Sequence, residues 1–354
     1  MIISRTPVRI SFFGGGTDYP AWSADHGGAV LSTTIDKYAY LSCRYLPPFF
    51  EHRSRIVYSK IELVKSRDEI EHPAVRESLR YMGVDEGIEI HYDGDIPART
   101  GVGSSSAFTV GLLHSVYAMQ GKMPSKQQLA HDAIYVEQTL MGDNVGAQDQ
   151  VAAAFGGFNY IRFHPSGQFD VQPVIANPQR LAAFQSHLML VFTGFQRNAT
   201  DIAAAQVKAT PHKRTELTLM REMVDEALSI LGSDRDLADF GKLLHEGWQL
   251  KRSLTSAVST PAIDDIYTAA REAGAIGGKL LGAGGGGFAL FFVRPEQRAS
   301  VALRLQGLSQ VPFKLDTSGS QIIVYQPGEQ TVESASANRM AAVRPRHLQL
   351  PHAA

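Results

Sequence analysis

The chain has one cysteine, Cys43, among 354 residues. A lone thiol excludes an intramolecular disulfide framework and a cysteine-built zinc cluster, and a reducing cytoplasm is the compartment that fits. An excess of charge of either sign is also missing: 34 Lys and Arg stand against 35 Asp and Glu. That balance gives no reason to expect a nucleic-acid or membrane partner. Long apolar runs are absent too. Arg5 and Arg9 interrupt the opening Met1, Ile2 and Ile3 before a signal-peptide core can form. The longest uncharged stretch, Thr100 to Gly121, carries Ser104, Ser105, Ser106, Thr109, His114 and Ser115, which makes it a poor membrane span. The 12 histidines form no HExxH pattern, so no zinc is expected. No repeat of solenoid period is present, and neither a Walker A loop nor the protein-kinase motifs occur.

What remains is an ordinary globular composition, 44% apolar and 19% charged, in a chain long enough for two domains. The stretch that organises it is Pro97 to Phe108, PARTGVGSSSAF. Ile88, Ile90 and Tyr92 alternate with polar residues before it, as in a half-buried strand. Val110, Leu113 and Tyr117 follow at helical spacing. A glycine-rich turn opening a helix presents unpaired N–H groups at the positive end of the helix dipole, and so suits a polyphosphate. A serine-capped helix after an ordinary turn is the competing reading of the same residues.

A second helix begins at Ser125, with Gln128 completing a capping-box pattern. Ala130, Ala133, Ile134, Leu140 and Met141 form its apolar face, and Glu137 falls in the middle of that face. An inward carboxylate is costly unless paired, so something cationic should meet it; a salt bridge to a core arginine, a rim position, and a metal or catalytic role are the open readings. Asp149 follows in a turn punctuated by Gly142, Gly146, Gly156 and Gly157. Strands are expected at Val8–Phe12, before the turn Gly14–Gly16, and at Tyr38–Tyr45. Further strands are expected at 157–163, 169–174 and 187–192. Helices are expected from Leu217 to Leu231, from Leu237 to Trp248 and from Ile263 to Ala273. A second glycine-rich run, KLLGAGGGGFALFFV from Lys279 to Val293, leads straight into Phe288, Leu290, Phe291 and Phe292, so it reads as a turn feeding a buried strand rather than a linker. The expected class is α+β in two domains, residues 1–190 and 191–326, with the active site between them and a loosely held tail over 327–354.

Three stretches in this order, TPVRISFFGGGTDYP, PARTGVGSSSA and KLLGAGGGGF, resemble the three signature motifs of the GHMP small-molecule kinases. Within that superfamily GGGTDYP, TGFQRNAT at 193–200 and GKLLGAGGGGF resemble the bacterial heptose 7-phosphate kinases. The resemblance implies an N-terminal domain like part of ribosomal protein S5 and a ferredoxin-like C-terminal domain, with ATP between them. It implies transfer of the γ-phosphoryl to the anomeric oxygen of D-glycero-D-manno-heptose 7-phosphate, on the way to nucleotide-heptose and surface polysaccharide. Gly101, Val102, Gly103, Ser104, Ser105 and Ser106 would wrap the ATP phosphates. Ser105 and Glu137 would hold magnesium, Asp149 would act as base, and Arg9 would lie beside it. Gly15, Gly16, Thr17, Asp18, Gly284, Gly285 and Gly286 would face the substrate. Arg197, Lys251 and Arg252 are candidates for its phosphate. Gly15 and Gly16 stand where galactokinases carry a Glu-His pair, which argues against galactose.

Two other readings stay open: a kinase of another sugar such as fucose, and a sugar- and ATP-binding sensor without turnover. A Rossmann dehydrogenase is excluded, because Ser106 stands where the third small residue belongs and no acidic residue follows at the required distance. Homo-oligomers are compatible with the sequence.

Overall fold

The computed structural model describes residues 1–195 and 199–327, with Ala199 and Thr200 described by backbone alone. Its frame is a nine-stranded sheet built on two long strands, Ile2–Phe13 and Gly28–Tyr45. The second of these carries two partners in succession. Gly28–Thr33 pairs with the strand Phe158–Phe163, and Ala39–Tyr45 pairs with Ile88–Gly94. The reading from sequence began this strand at Tyr38. Ser32, Thr33 and Thr34 concealed the earlier half, because all three are buried there, and the Thr34 hydroxyl donates to the Asp316 carbonyl at 2.9 Å. The strands Ser54–Val57 and Ile61–Val64 close one side of the sheet. On the other side Gln321–Tyr325 returns to pair with Ile2–Arg5.

The helix Ser104–Met119 lies against the two long strands and is buried almost all round. That explains its weak amphipathic pattern. Gly111 makes the close approach possible, since a Cβ there would come within 2.8 Å of both Leu41 Cδ1 and Thr6 Oγ1. The helix Lys126–Tyr135 starts at Ser125, whose hydroxyl accepts from the Gln128 N–H at 3.1 Å. Only half of the expected box forms, because the Gln128 side chain turns to Asp132 instead. The helix then widens into a π turn, Val136–Leu140, with Met141 N donating to Val136 O at 2.9 Å. Such widened turns are frequent at functional sites.

The second sheet is fully antiparallel. Its strands run in the order Ser309–Val311, Leu188–Phe192, Phe288–Val293, Ala275–Leu280. Numbered along the chain this is 4-1-3-2, with helices between the first and second strands and between the third and fourth, a ferredoxin-like arrangement. The expected helices occur at Arg214–Leu231, Ala238–Leu254 and Pro261–Glu272. The helix Pro178–His187 lacks an apolar-face pattern, because only Phe184 and His187 of its ten residues are buried, although Asn177 caps it and Pro178 opens it. Phe12 on the first sheet, Phe292 on the second, and Phe184 and Phe240 on the helices Pro178–His187 and Ala238–Leu254 form one aromatic cluster, with Phe240 5.5 Å from Phe12 and 5.5 Å from Phe292 between ring centroids. Tilted and edge-on rings at this spacing attract beyond their buried area. The two sheets therefore share a core, and the cleft above it is held by both.

Candidate active site

The loop before the helix Ser104–Met119 reaches the cleft through three left-handed residues at alternate positions, Arg99 at φ 62°, Gly101 at φ 83° and Gly103 at φ 74°. Gly103 is the N-cap and offers no side chain to the helix end, while the three serines lie inside the first turn. The serine-capped alternative is thereby removed: the hydroxyls do not satisfy the end of the helix. The first turn leaves its N–H groups for an outside acceptor, the arrangement that binds anions. Ser105 is exposed on this turn, whereas Ser104 and Ser106 are buried. Val102 is wholly buried in the apolar core, so only its backbone belongs to the loop surface.

Arg9 lies under this loop and is 3% exposed. Its Nε and Nη2 donate to Asp149 Oδ1 and Oδ2, both at 2.7 Å, and its Nη1 donates to the Gly101 carbonyl at 2.7 Å. A two-point arginine–carboxylate contact fixes direction as well as charge. Asp149 stands in the first turn of the helix Gln148–Phe155 and is the more open member, its side chain 23% exposed against 4% for Arg9. Gly103 covers the pair closely. A Cβ there would lie 3.1 Å from Asp149 Oδ2 and 3.3 Å from Arg9 Cγ.

Glu137 is 2% exposed. Its Oε2 accepts from Ser106 Oγ at 2.8 Å and from the Gln150 side-chain amide, and its Oε1 is buried without a hydrogen-bond partner. Burial pushes its carboxyl up to about 7, against the hydrogen bonds that favour the anion. No arginine or lysine among the described residues meets it. The hydroxyl beside Glu137 is therefore that of Ser106, not Ser105. Successive residues of a helix diverge by about 100°, so only one of the two can face inward. An orphaned buried carboxylate oxygen next to an anion-accepting helix end fits a hard cation such as magnesium, which needs few protein ligands.

The GGGTDYP turn divides into structural and open positions. Thr17 is wholly buried, and its hydroxyl donates to Gly14 O at 2.8 Å and exchanges hydrogen bonds with Ala29. Its side chain holds the turn. Asp18 is 1% exposed and accepts from Gly16 N at 2.9 Å and Gln148 N at 3.2 Å. It clamps this turn to the segment bearing Asp149. Burial, opposed by those two bonds and reinforced by the Asp149 charge, raises its carboxyl above the ordinary range. Gly15 and Gly16 are partly open, and Gly16 lines a small cavity with Tyr19, Gln206, Lys213, Leu217 and Leu254.

Two lysines from the second domain complete the site. Lys251 is 7% exposed and donates to the Gly282 carbonyl. Burial, then the nearby Arg9, lowers it to about 8, while Asp18 and Asp149 oppose the shift. Lys279, also 7% exposed, donates to Phe12 O at 2.8 Å and is held well below the usual lysine range by burial and by Lys251. Lys279 escaped the sequence reading. The signal was there, a lysine inside the apolar run AIGGKLL, of the same kind as the inward Glu137. Arg252 turns away to Asp264 at 2.7 Å, and Arg197 lies outside the described residues.

Gly284 and Gly286 make close approaches to the protein's own backbone. A Cβ on Gly284 would meet Val258 O at 2.6 Å and one on Gly286 would meet Phe195 O at 2.7 Å, so their bareness serves packing against the protein's own backbone. Gly285 donates its N–H to Val258 O at 2.9 Å.

An open helix end beside a buried carboxylate, facing a carboxylate–arginine pair and two lysines across a two-domain cleft, defines a phosphoryl-transfer enzyme. The chain belongs to the GHMP kinases: the N-terminal domain model of that family matches residues 65–157 and the C-terminal model residues 222–307. It is 28% identical to the D-glycero-alpha-D-manno-heptose 7-phosphate kinase of Campylobacter jejuni over 326 residues, 86% of this chain and 93% of that one. It is 24% identical to the bifunctional fucokinase/GDP-fucose pyrophosphorylase of Arabidopsis thaliana, covering 83% of this chain but 30% of that longer protein. The crystal structure of a D-glycero-D-manno-heptose 1-phosphate kinase from Bacteroides thetaiotaomicron superposes with a TM-score of 0.73 over 92% of this chain and 100% of that one, at 24% identity. As a GHMP kinase the protein uses ATP. No helix among the described residues is long and apolar enough to cross a membrane.

Proposed function

We propose that this kinase phosphorylates the anomeric hydroxyl of D-glycero-D-manno-heptose 7-phosphate, giving the 1,7-bisphosphate. The observation that carries the reading is the near full-length likeness to the Campylobacter enzyme, 93% of whose length is matched. Consistent with it, two buried lysines, Lys251 and Lys279, lie within charge range of Arg9 and Asp18 with carbonyl oxygens as their only hydrogen-bond partners among the described residues, and an acceptor that brings its own phosphate would favour their charged forms.

In this reading the N–H groups of Ser104 to Ser106 donate to the nucleotide phosphate oxygens, and Glu137 with Ser106 would hold magnesium. Magnesium, when bound, supplies charge neutralisation on the phosphate oxygens. Asp149 points the sugar hydroxyl at the γ-phosphorus and takes its proton as the new O–P bond forms and the bond to the β-phosphate oxygen breaks. Arg9 fixes the direction of Asp149 through its two-point contact and ties its position to the loop through Gly101. Asp18 holds the turn whose open glycines admit the sugar.

The test is ATP consumption with magnesium against heptose 7-phosphate, mannose, fucose and galactose, with the product located by phosphorus NMR. Phosphate appearing at C1 of the heptose phosphate alone is the expected result. Turnover on fucose instead, the reading favoured by the Arabidopsis relative, overturns the substrate but keeps the kinase. Binding of sugar and ATP without turnover makes the protein a sensor.

A further inference from the structure

A second charged cavity lies outside the cleft, with a volume of about 550 Å³. Arg162, Arg214, Arg221, His26, His164 and Trp22 line it, and no carboxylate does. In a chain of net charge −1 this is a local concentration of cations. The arginines come from elements far apart in sequence. Arg162 is on the strand Phe158–Phe163, and Arg214 and Arg221 stand seven apart on one face of the helix Arg214–Leu231. Leu217, Met220 and Val224, buried beside this stripe, fix that helix against the body of the protein. Its end, at Arg214, has no side-chain cap, so the dipole adds to the positive field.

Neither Arg214 nor Arg221 makes an ion pair or a side-chain hydrogen bond among the described residues. Arg162 contacts only a tyrosine, through Nε to the Tyr160 hydroxyl at 3.3 Å and by lying over the ring. The Trp22 indole N–H is buried without an acceptor. The carboxylates whose charge reaches Arg162 are Asp170, which is bound to His164 at 2.7 Å, and Asp225, while Glu216 in the first turn of the helix is paired with Lys213 at 2.8 Å. The volume exceeds what a single inorganic ion fills and falls in the range of small-molecule sites. Guanidinium groups match phosphate oxygens at two points and stay charged at every working pH.

We propose that this cavity binds the phosphate ester of a small organic molecule, at a site separate from phosphoryl transfer. None of its lining residues belongs to the transfer site. Trp22 packs with Leu217, Met220 and Leu254, and Leu217 and Leu254 also line the small cavity at Gly16 and Tyr19, so a thin apolar wall divides the two. The ester is either a nucleotide or a sugar phosphate.

The test is isothermal titration of the full chain with ADP, glucose 6-phosphate and inorganic phosphate in turn, with tryptophan fluorescence as a second readout. The double variant Arg214→Ala/Arg221→Ala and the single variant Arg162→Gln, on the facing strand, are compared with the parent at matched melting temperature. A glucose 6-phosphate site, or a second equivalent of ADP, that weakens by about tenfold or more in both variants supports the proposal and names the source. Basal turnover and the KM for ATP stay unchanged. Binding untouched by either variant overturns it, as does inorganic phosphate binding as tightly as both esters.

Discussion

The two glycine-rich stretches look alike in sequence and do opposite things. Around Gly101 and Gly103 the backbone arches so that a helix end stands open to the cleft. In the run from Gly282 to Gly287 the backbone is closed on the protein itself. Gly285 N bonds Val258 O at 2.9 Å, Gly287 N bonds Phe195 O at 2.8 Å, and a Cβ on Gly287 would sit 2.2 Å from Thr100 O. The second run is the seat on which the first rests, since Phe288 N also bonds Thr100 O at 3.0 Å. Richness in glycine thus marks close approach of backbone to something. Whether that something is a ligand or another strand of the same chain depends on where the free N–H groups end up.

The largest effects are expected where the open stretch meets charge. Asp149→Asn should cut turnover by about two orders of magnitude or more while ATP binding persists. Near-parental turnover would leave Asp149 a positioning residue only. Glu137→Gln should abolish most magnesium-dependent turnover and yet stabilise the metal-free protein at alkaline pH. The native state raises the Glu137 carboxyl from 4.5 to about 7, so its contribution is present below pH 4.5 and is lost as pH rises through 7. The loss is roughly 3 kcal/mol, and the glutamine escapes it. Melting temperatures from pH 5 to pH 8 that run parallel for the two proteins would disprove this.

A matched pair of glycine variants separates the stretches directly. Gly103→Ala places a Cβ against the Arg9–Asp149 pair at a positive φ, and displacing that pair should lower kcat/KM by about ten- to a hundredfold. Gly284→Ala meets Val258 O and should instead lower unfolding free energy by about 2–3 kcal/mol, leaving turnover of the folded enzyme nearly intact. Equal kinetic losses would erase the distinction between the two stretches. The smallest difference is expected between neighbours. Ser106→Ala should weaken magnesium activation more than Ser105→Ala, because only Ser106 reaches Glu137; the reverse order in a magnesium titration would return the metal to Ser105.

Periodicity located the helices with strong apolar faces, Arg214–Leu231 among them, and inward placement singled out Glu137 before any contact was known. It missed elements whose buried positions are polar or few, such as the first half of Gly28–Tyr45 and the helix Pro178–His187. The resemblance placed Thr17 towards the substrate, where the structure shows it wholly buried, and no pattern assigned Lys279. Both outcomes have one cause: a threonine or lysine shows in sequence what it can bond to, not what lies within 3 Å of it.

Composition and motif order by themselves determined the class of chemistry, because an open glycine turn before a helix, an inward acid and a lone cysteine are local properties of the chain. Which residues do the work was decided by the tertiary structure. Arg9 and Asp149 stand 140 positions apart and form their pair only where one loop, one strand and one helix end converge. The lysines that face them arrive from a second domain held by a shared aromatic core. Long-range contact is the one quantity that no local pattern encodes.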